Sequence, residues 1–194
     1  MATREPPAPT RRWTRAEYGR LIDCGILRED DPVELVEGQL VVREPQRTPH
    51  AVATQLAAEV LRGIFGPGWV VRVQLPLALG PASEPEPDVA VVRGAPRDFL
   101  KDHPSRPALV VEVAGESLRL DRTTKAQLYA RHRIPDYWIV NLRAGTLEVR
   151  RRPVRRPDPP SRWGYRDVAV FRPGDLVRPL GAPRARVPVA DLIP

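Results

Sequence analysis

Apolar and polar positions change period repeatedly along the chain, and each change marks an element. Thr14 is placed to cap a helix through RAEYGRLIDCGIL, with Glu17 three residues on completing a capping box. Tyr18, Leu21, Ile22 and Ile26 share one face of it, and Gly25 lies near its end. VELVEGQLVVR, residues 33–43, alternates on both sides of Glu37-Gly38 and predicts a hairpin. Pro49 then opens a helix to about residue 65. Its stripe is His50, Ala53, Ala57, Val60, Leu61 and Ile64, and Gly66-Pro67-Gly68 stops it. Strands follow at 69–77 and 88–93, the second introduced by Pro85 and Pro87, and residues 94–107 read as a polar loop or short helix. Residues 109–114, LVVEVA, form an apolar run of the kind buried on both faces. Asp121 is placed to cap a helix over 122–132, followed by strands at 136–142 and 146–151. Residues 150–163, RRRPVRRPDPPSRW, read as a Pro/Arg linker or long hairpin loop, ahead of a strand at 165–171 and a last short element at 187–192.

This order predicts an α/β fold. Strands 69–77, 88–93 and 109–114 form a meander, and helix 122–132 crosses to a parallel strand at 136–142 by a right-handed connection. One mixed β-sheet flanked by α-helices is the expected architecture, as a single domain over residues 13–194. Residues 1–12, rich in Pro and Arg, are expected to be a disordered tail.

Composition narrows the classes. The 42% hydrophobic content supports a globular core, and the single cysteine, Cys24, excludes a disulfide framework or a multi-cysteine zinc site. No apolar run reaches membrane-spanning length and the N-terminus lacks a signal-type apolar region, so a cytoplasmic location without membrane attachment is expected. Net charge is +7, which favours a polyanionic partner, but much of the positive charge reflects a bias toward Arg. Of 31 basic residues only Lys101 and Lys125 are lysines. In such a chain a lysine at a chemically useful position stands out, because a compact ammonium and a planar guanidinium are not interchangeable.

Candidate chemistry begins with Glu112, a carboxylate inside a core strand. Buried alone it would cost several kcal/mol, on the order of the desolvation penalty of an ion. It is either paired with an arginine or it is a metal ligand. Asp88 opens strand 88–93, so antiparallel pairing with strand 109–114 brings it beside Glu112. Hard carboxylates with room for water suit Mg2+, with Mn2+ as an alternative. Lys125, on the first turns of the following helix, can reach the same place. A metal ion, two acids and a lysine are the working parts for hydrolysing a phosphodiester. The macrodipole disfavours a cation in a helix's first turn, so Lys125 is expected to serve rate rather than stability, and Lys125→Ala to fold normally.

These residues resemble the PD-(D/E)XK nuclease superfamily, and within it the Uma-two family of restriction-endonuclease-like proteins. The resemblance rests on VELVEGQLV, Pro49-His50, EPDVAVV and the ordered series Glu112, Ser117, Asp121, Lys125, Tyr129 and IPDYW at 134–138. It implies a restriction-endonuclease-like fold and a metal-dependent endonuclease acting on DNA, with Asp88 and Glu112 as metal-binding acids. It also implies the Val113 carbonyl as a further ligand and Glu34 as a member of the acidic cluster. The position two after the glutamate is Ala114, and the lysine has moved to Lys125. His50 and Tyr129 are accessory candidates, and Arg150, Arg151, Arg152, Arg155 and Arg156 are candidate phosphate contacts. A homodimer is expected, because cutting both strands of a duplex needs two sites. The rival readings are an inactive DNA-binding module and a protein-interaction module on the same fold.

Overall fold

The computed structural model describes residues 10–28, 30–43, 45–157 and 163–194. Its first helix, α1 (Arg15–Asp23), starts with the expected capping box, in which Thr14 accepts from the Glu17 backbone and Glu17 accepts from Thr14 N at 3.0 Å. Tyr18 is buried and donates its hydroxyl to Val33 O at 2.8 Å, whereas Ile26 lies past the helix end and is exposed. Strands β1 (Val33–Val36) and β2 (Gln39–Val42) form the hairpin. Its two turn residues, Glu37 and Gly38, both take left-handed φ (51° and 78°), the pairing that suits the twist of a two-residue hairpin. Helix α2 (Thr48–Phe65) follows, with Pro49 at its start and Gly66 at φ 62° ending it.

The main sheet contains β3 (Trp69–Val73), β4 (Val89–Arg93), β5 (Leu109–Ala114), β6 (Asp136–Asn141), β7 (Thr146–Arg155) and β8 (Trp163–Phe171), hydrogen-bonded in that order. Only β5 and β6 run parallel; the other neighbours are antiparallel. The crossover between them is helical: α3 (Leu118–Leu120), a π-helical turn (Asp121–Lys125) and α4 (Ala126–Arg131). A short pair, β9 (Leu176–Val177) with β10 (Val187–Pro188), and a 3-10 turn (Val189–Leu192) end the described chain.

Strand alternation sorts the core into two layers. Val89, Val91, Leu109, Val111, Trp138 and Val140 face α2, packing on Ala53, Ala57 and Leu61. Ala90, Val92, Val110, Tyr137 and Ile139 face α4, packing on Leu128, Tyr129 and Ala130. Each large side chain removed from water on either face contributes roughly 1.5–3 kcal/mol, which is why β5 and β6 are apolar almost throughout. The same alternation puts Glu112 on the α4 face.

Three expectations from the sequence are corrected. The strand expected over 69–77 ends at Val73, because Gln74 takes φ 50° and turns the chain out of the sheet. Asp121 is not an N-cap: the helical run starts three residues earlier, and Asp121 sits inside it with 1% exposure. Lys125 therefore lies well past the first turn. Finally, residues 150–155 are not a loop but the second half of β7, paired to β8 through Arg155 opposite Trp163. Residues 1–9 of the expected tail and residues 158–162 of the expected linker lie outside the described residues.

Candidate active site

Register assembles the site. β4 pairs with β5 with Val89 opposite Val111, so one further step sets Asp88 opposite Glu112. β3 pairs with β4 with Val73 opposite Val89, so the same step sets Gln74 opposite Asp88. Directly opposed residues of antiparallel strands share a face. Gln74, Asp88 and Glu112 thus form a row across three strand ends, where a cleft of about 690 Å³ opens. Glu34 from β1, His50 from α2, Val113 from β5, and Asp121 and Lys125 from the π turn also line it.

Lys125 is the centre of the row's ion pairs. Its Nζ lies 3.0 Å from Glu34 Oε1 and 3.0 Å from Glu112 Oε1, with all three side chains almost fully buried. Glu112 Oε1 also accepts from Tyr129 Oη at 2.6 Å, so Tyr129 orients the carboxylate rather than the ammonium. Glu34 Oε2 accepts from the Glu86 backbone at 2.8 Å, which ties the hairpin to the segment leading to Asp88. Glu34 is therefore not a solvated strand residue. Asp88 is held by three donors or near-neighbours: Val113 N at 2.8 Å, Gln74 Nε2 at 3.2 Å, and His50 Nε2 at 3.2 Å from Oδ2. Glu86 pairs with Arg43 at 2.6 Å on the cleft wall.

Burial dominates the electrostatics. It pushes Glu112 up to about 8; Lys125 opposes the shift, and the carboxylates of Asp121, Asp88 and Glu34 add to it. Burial likewise raises Asp121 to about 6, against the pull of Lys125 and of the Ser117 hydroxyl that donates to it at 2.7 Å. Burial alone would lower Lys125, but Glu112, Glu34 and Asp121 outweigh it and hold the ammonium well above its ordinary range. Six carboxylates (Glu34, Glu86, Asp88, Glu112, Glu116 and Asp121) line the cleft against the cations Arg43, Arg119 and Lys125. A carboxylate-rich cleft in a chain of net charge +7 favours a small cation.

The sequence reading missed Asp121 and Gln74 as cleft residues. A signal for Asp121 was present: Ser117, Asp121, Lys125 and Tyr129 recur every four residues, not every 3.6. Such a row drifts around an ordinary α-helix, and the wider π turn in its middle keeps Asp121 and Lys125 facing the sheet. No comparable signal marks Gln74, whose role depends on a backbone bend. The five candidate phosphate-contact arginines do not form a free basic loop. Arg150 pairs with Glu148 at 3.0 Å, Arg151 with buried Asp136 at 2.8 Å, Arg152 with Asp167, Arg155 is exposed in β7 opposite Trp163, and Arg156 donates to Tyr165 O at 3.1 Å.

Among solved structures, one described as a "putative nuclease belonging to DUF820 from Anabaena variabilis ATCC 29413" shares the fold, with a TM-score of 0.68 at 18% sequence identity. The match covers 89% of this chain and 96% of that one. No curated protein matches the chain. The family model Uma2, described as "Putative restriction endonuclease", matches residues 15–190. The chain therefore belongs to the Uma2 family.

Proposed function

We propose that the protein is a divalent-metal-dependent endonuclease that hydrolyses DNA phosphodiester bonds in this cleft. The observation that carries the reading is Lys125, locked between Glu34 and Glu112 beside Asp88 in a carboxylate-rich opening. A lysine so placed supplies a fixed positive charge where negative charge grows on a phosphate under attack.

The residues fit Mg2+ or Mn2+ by donor chemistry. Asp88 and Glu112 offer hard oxygens in a cleft with room for water and a phosphate, and Val113, which lines the same cleft, donates its N–H to Asp88. Among the described residues no group of three or more His, Cys, Asp or Glu is arranged to hold an ion. A two-carboxylate site is nevertheless what Mg2+ commonly uses, with water and substrate phosphate completing its shell. When bound, the ion would polarise the phosphate and acidify a coordinated water. The chain's own residues do the rest. Val113 N, Gln74 and His50 fix Asp88, while Tyr129 and Lys125 fix Glu112. Arg43 and Arg119 on the cleft walls are placed to contact the DNA backbone, whereas Arg152, Arg155 and Arg156, exposed at or just past the far end of β7, lie away from the cleft. Two copies acting together would cut both strands of a duplex. No helix among the described residues is long and apolar enough to cross a membrane.

The test is nicking of supercoiled plasmid with Mg2+ or Mn2+, with and without EDTA, by the parent and by Asp88→Asn. Metal-dependent nicking by the parent and its loss in Asp88→Asn are expected. A parent that binds DNA but never nicks it would assign the protein to the DNA-binding class, and one that does neither to the protein-interaction class.

A further inference from the structure

We infer that Gln74 is a positioning residue that sets the metal-binding geometry of Asp88; this rests on the metal-dependent reading above. Gln74 makes two bonds to one residue. Its backbone N–H donates to Asp88 O at 3.1 Å, and its side-chain amide donates to Asp88 Oδ1 at 3.2 Å. The backbone bond continues the β3–β4 register by one step, and the residue that makes it is left-handed, φ 50°, which is uncommon for a side chain that is neither Gly nor Asn. Strain of this kind persists where the surroundings over-determine it, and it concentrates at functional sites. The turn stops β3, keeps the amide on the cleft side and aims it at the first residue before β4.

The bend does not depend on the Gln74 side chain. The backbone bond to Asp88, the Arg72 guanidinium on Pro76 O at 3.2 Å and Leu77 N on Pro85 O at 2.9 Å would all survive its removal. The amide has one identifiable task. Val113 N and His50 Nε2 hold Oδ2, and Gln74 donates to Oδ1, so the amide sets the direction in which Oδ1 presents its remaining lone pair. Outer partners of this type typically govern metal affinity or activity by about 10–100-fold.

This geometry separates positioning from folding by a single substitution. Gln74→Gly removes the amide but suits the left-handed φ, which offsets part of the lost bond and the glycine's entropy, so the variant should fold and melt close to the parent temperature. Mn2+ binding to the whole protein is measured by calorimetry, beside plasmid nicking. The expected result is Mn2+ affinity weakened about 10-fold or more in Gln74→Gly, with a matching loss of nicking at low metal that high metal partly restores. Gln74→Asn tolerates the same φ but is one methylene too short, and should behave alike; it stands in if the glycine variant fails to fold. Unchanged Mn2+ affinity in a folded variant would overturn the inference while leaving the metal site intact. A parent that binds no Mn2+ would overturn the metal-dependent reading and this inference with it.

Discussion

At the scale of single residues, Lys125 has a heavier structural duty than its sequence position suggested. It bridges two buried carboxylates, so the expectation that Lys125→Ala folds like the parent is corrected. Removing the ammonium leaves Glu34 and Glu112 uncompensated, and breaking a buried pair in this way costs about 3–5 kcal/mol. Lys125→Met, which keeps the stem's packing, should still lose stability near the lower end of that range. The loss should depend on pH. Burial raises Glu112 to about 8 and Lys125 holds it from rising further. A carboxyl raised in the folded state stabilises while protonated, and that stability is lost as pH climbs through the folded value. Without Lys125 the folded value is higher still, so parent and variant should draw apart as pH rises through about 8. Denaturant melts on both sides of that pH check it; a gap that narrows on going alkaline would contradict the assignment. In nicking, Lys125→Met should lose about two orders of magnitude or more beyond any loss of folded protein.

At the scale of elements, β6 and β7 illustrate what was legible in the sequence and what was not. The apolar runs, the hairpin at Glu37-Gly38 and the capping box of α1 follow from local pattern, and so does the parallel crossover. The Arg-rich stretch after residue 149 does not, because its partners are distant in sequence. Arg151 reaches Asp136, fully buried on β6, which also accepts from Trp138 Nε1 at 2.8 Å and Leu180 N at 2.9 Å. A residue that gathers a strand neighbour, an indole and the C-terminal segment is a structural hub. Asp136→Ala should therefore destabilise the fold by about 3 kcal/mol, with nicking per folded molecule unchanged. A variant as stable as the parent would show the network to be incidental. Asp121 and Gln74 escaped the sequence for related reasons. The π turn shows in the sequence only as a four-residue spacing, and the left-handed bend is set by what packs around it, with no local composition that announces it.

For the whole molecule, the sheet delivers residues from five separate segments to one end. The hairpin brings Glu34, α2 brings His50, the bend after β3 brings Gln74, the start of β4 brings Asp88, and β5 with its crossover brings Glu112 and Lys125. The fold and family membership give this arrangement its setting, and the cleft's excess of carboxylates gives it a cationic ligand to expect. In the proposed function Asp88 and Glu112 hold one divalent ion beside Lys125. Anomalous scattering from a crystal of the protein soaked in Mn2+ locates that ion. A single strong peak between the Asp88 and Glu112 carboxylates, lost in a Glu112→Gln crystal, is the predicted result. A peak elsewhere, or none in the cleft at millimolar Mn2+, would contradict it.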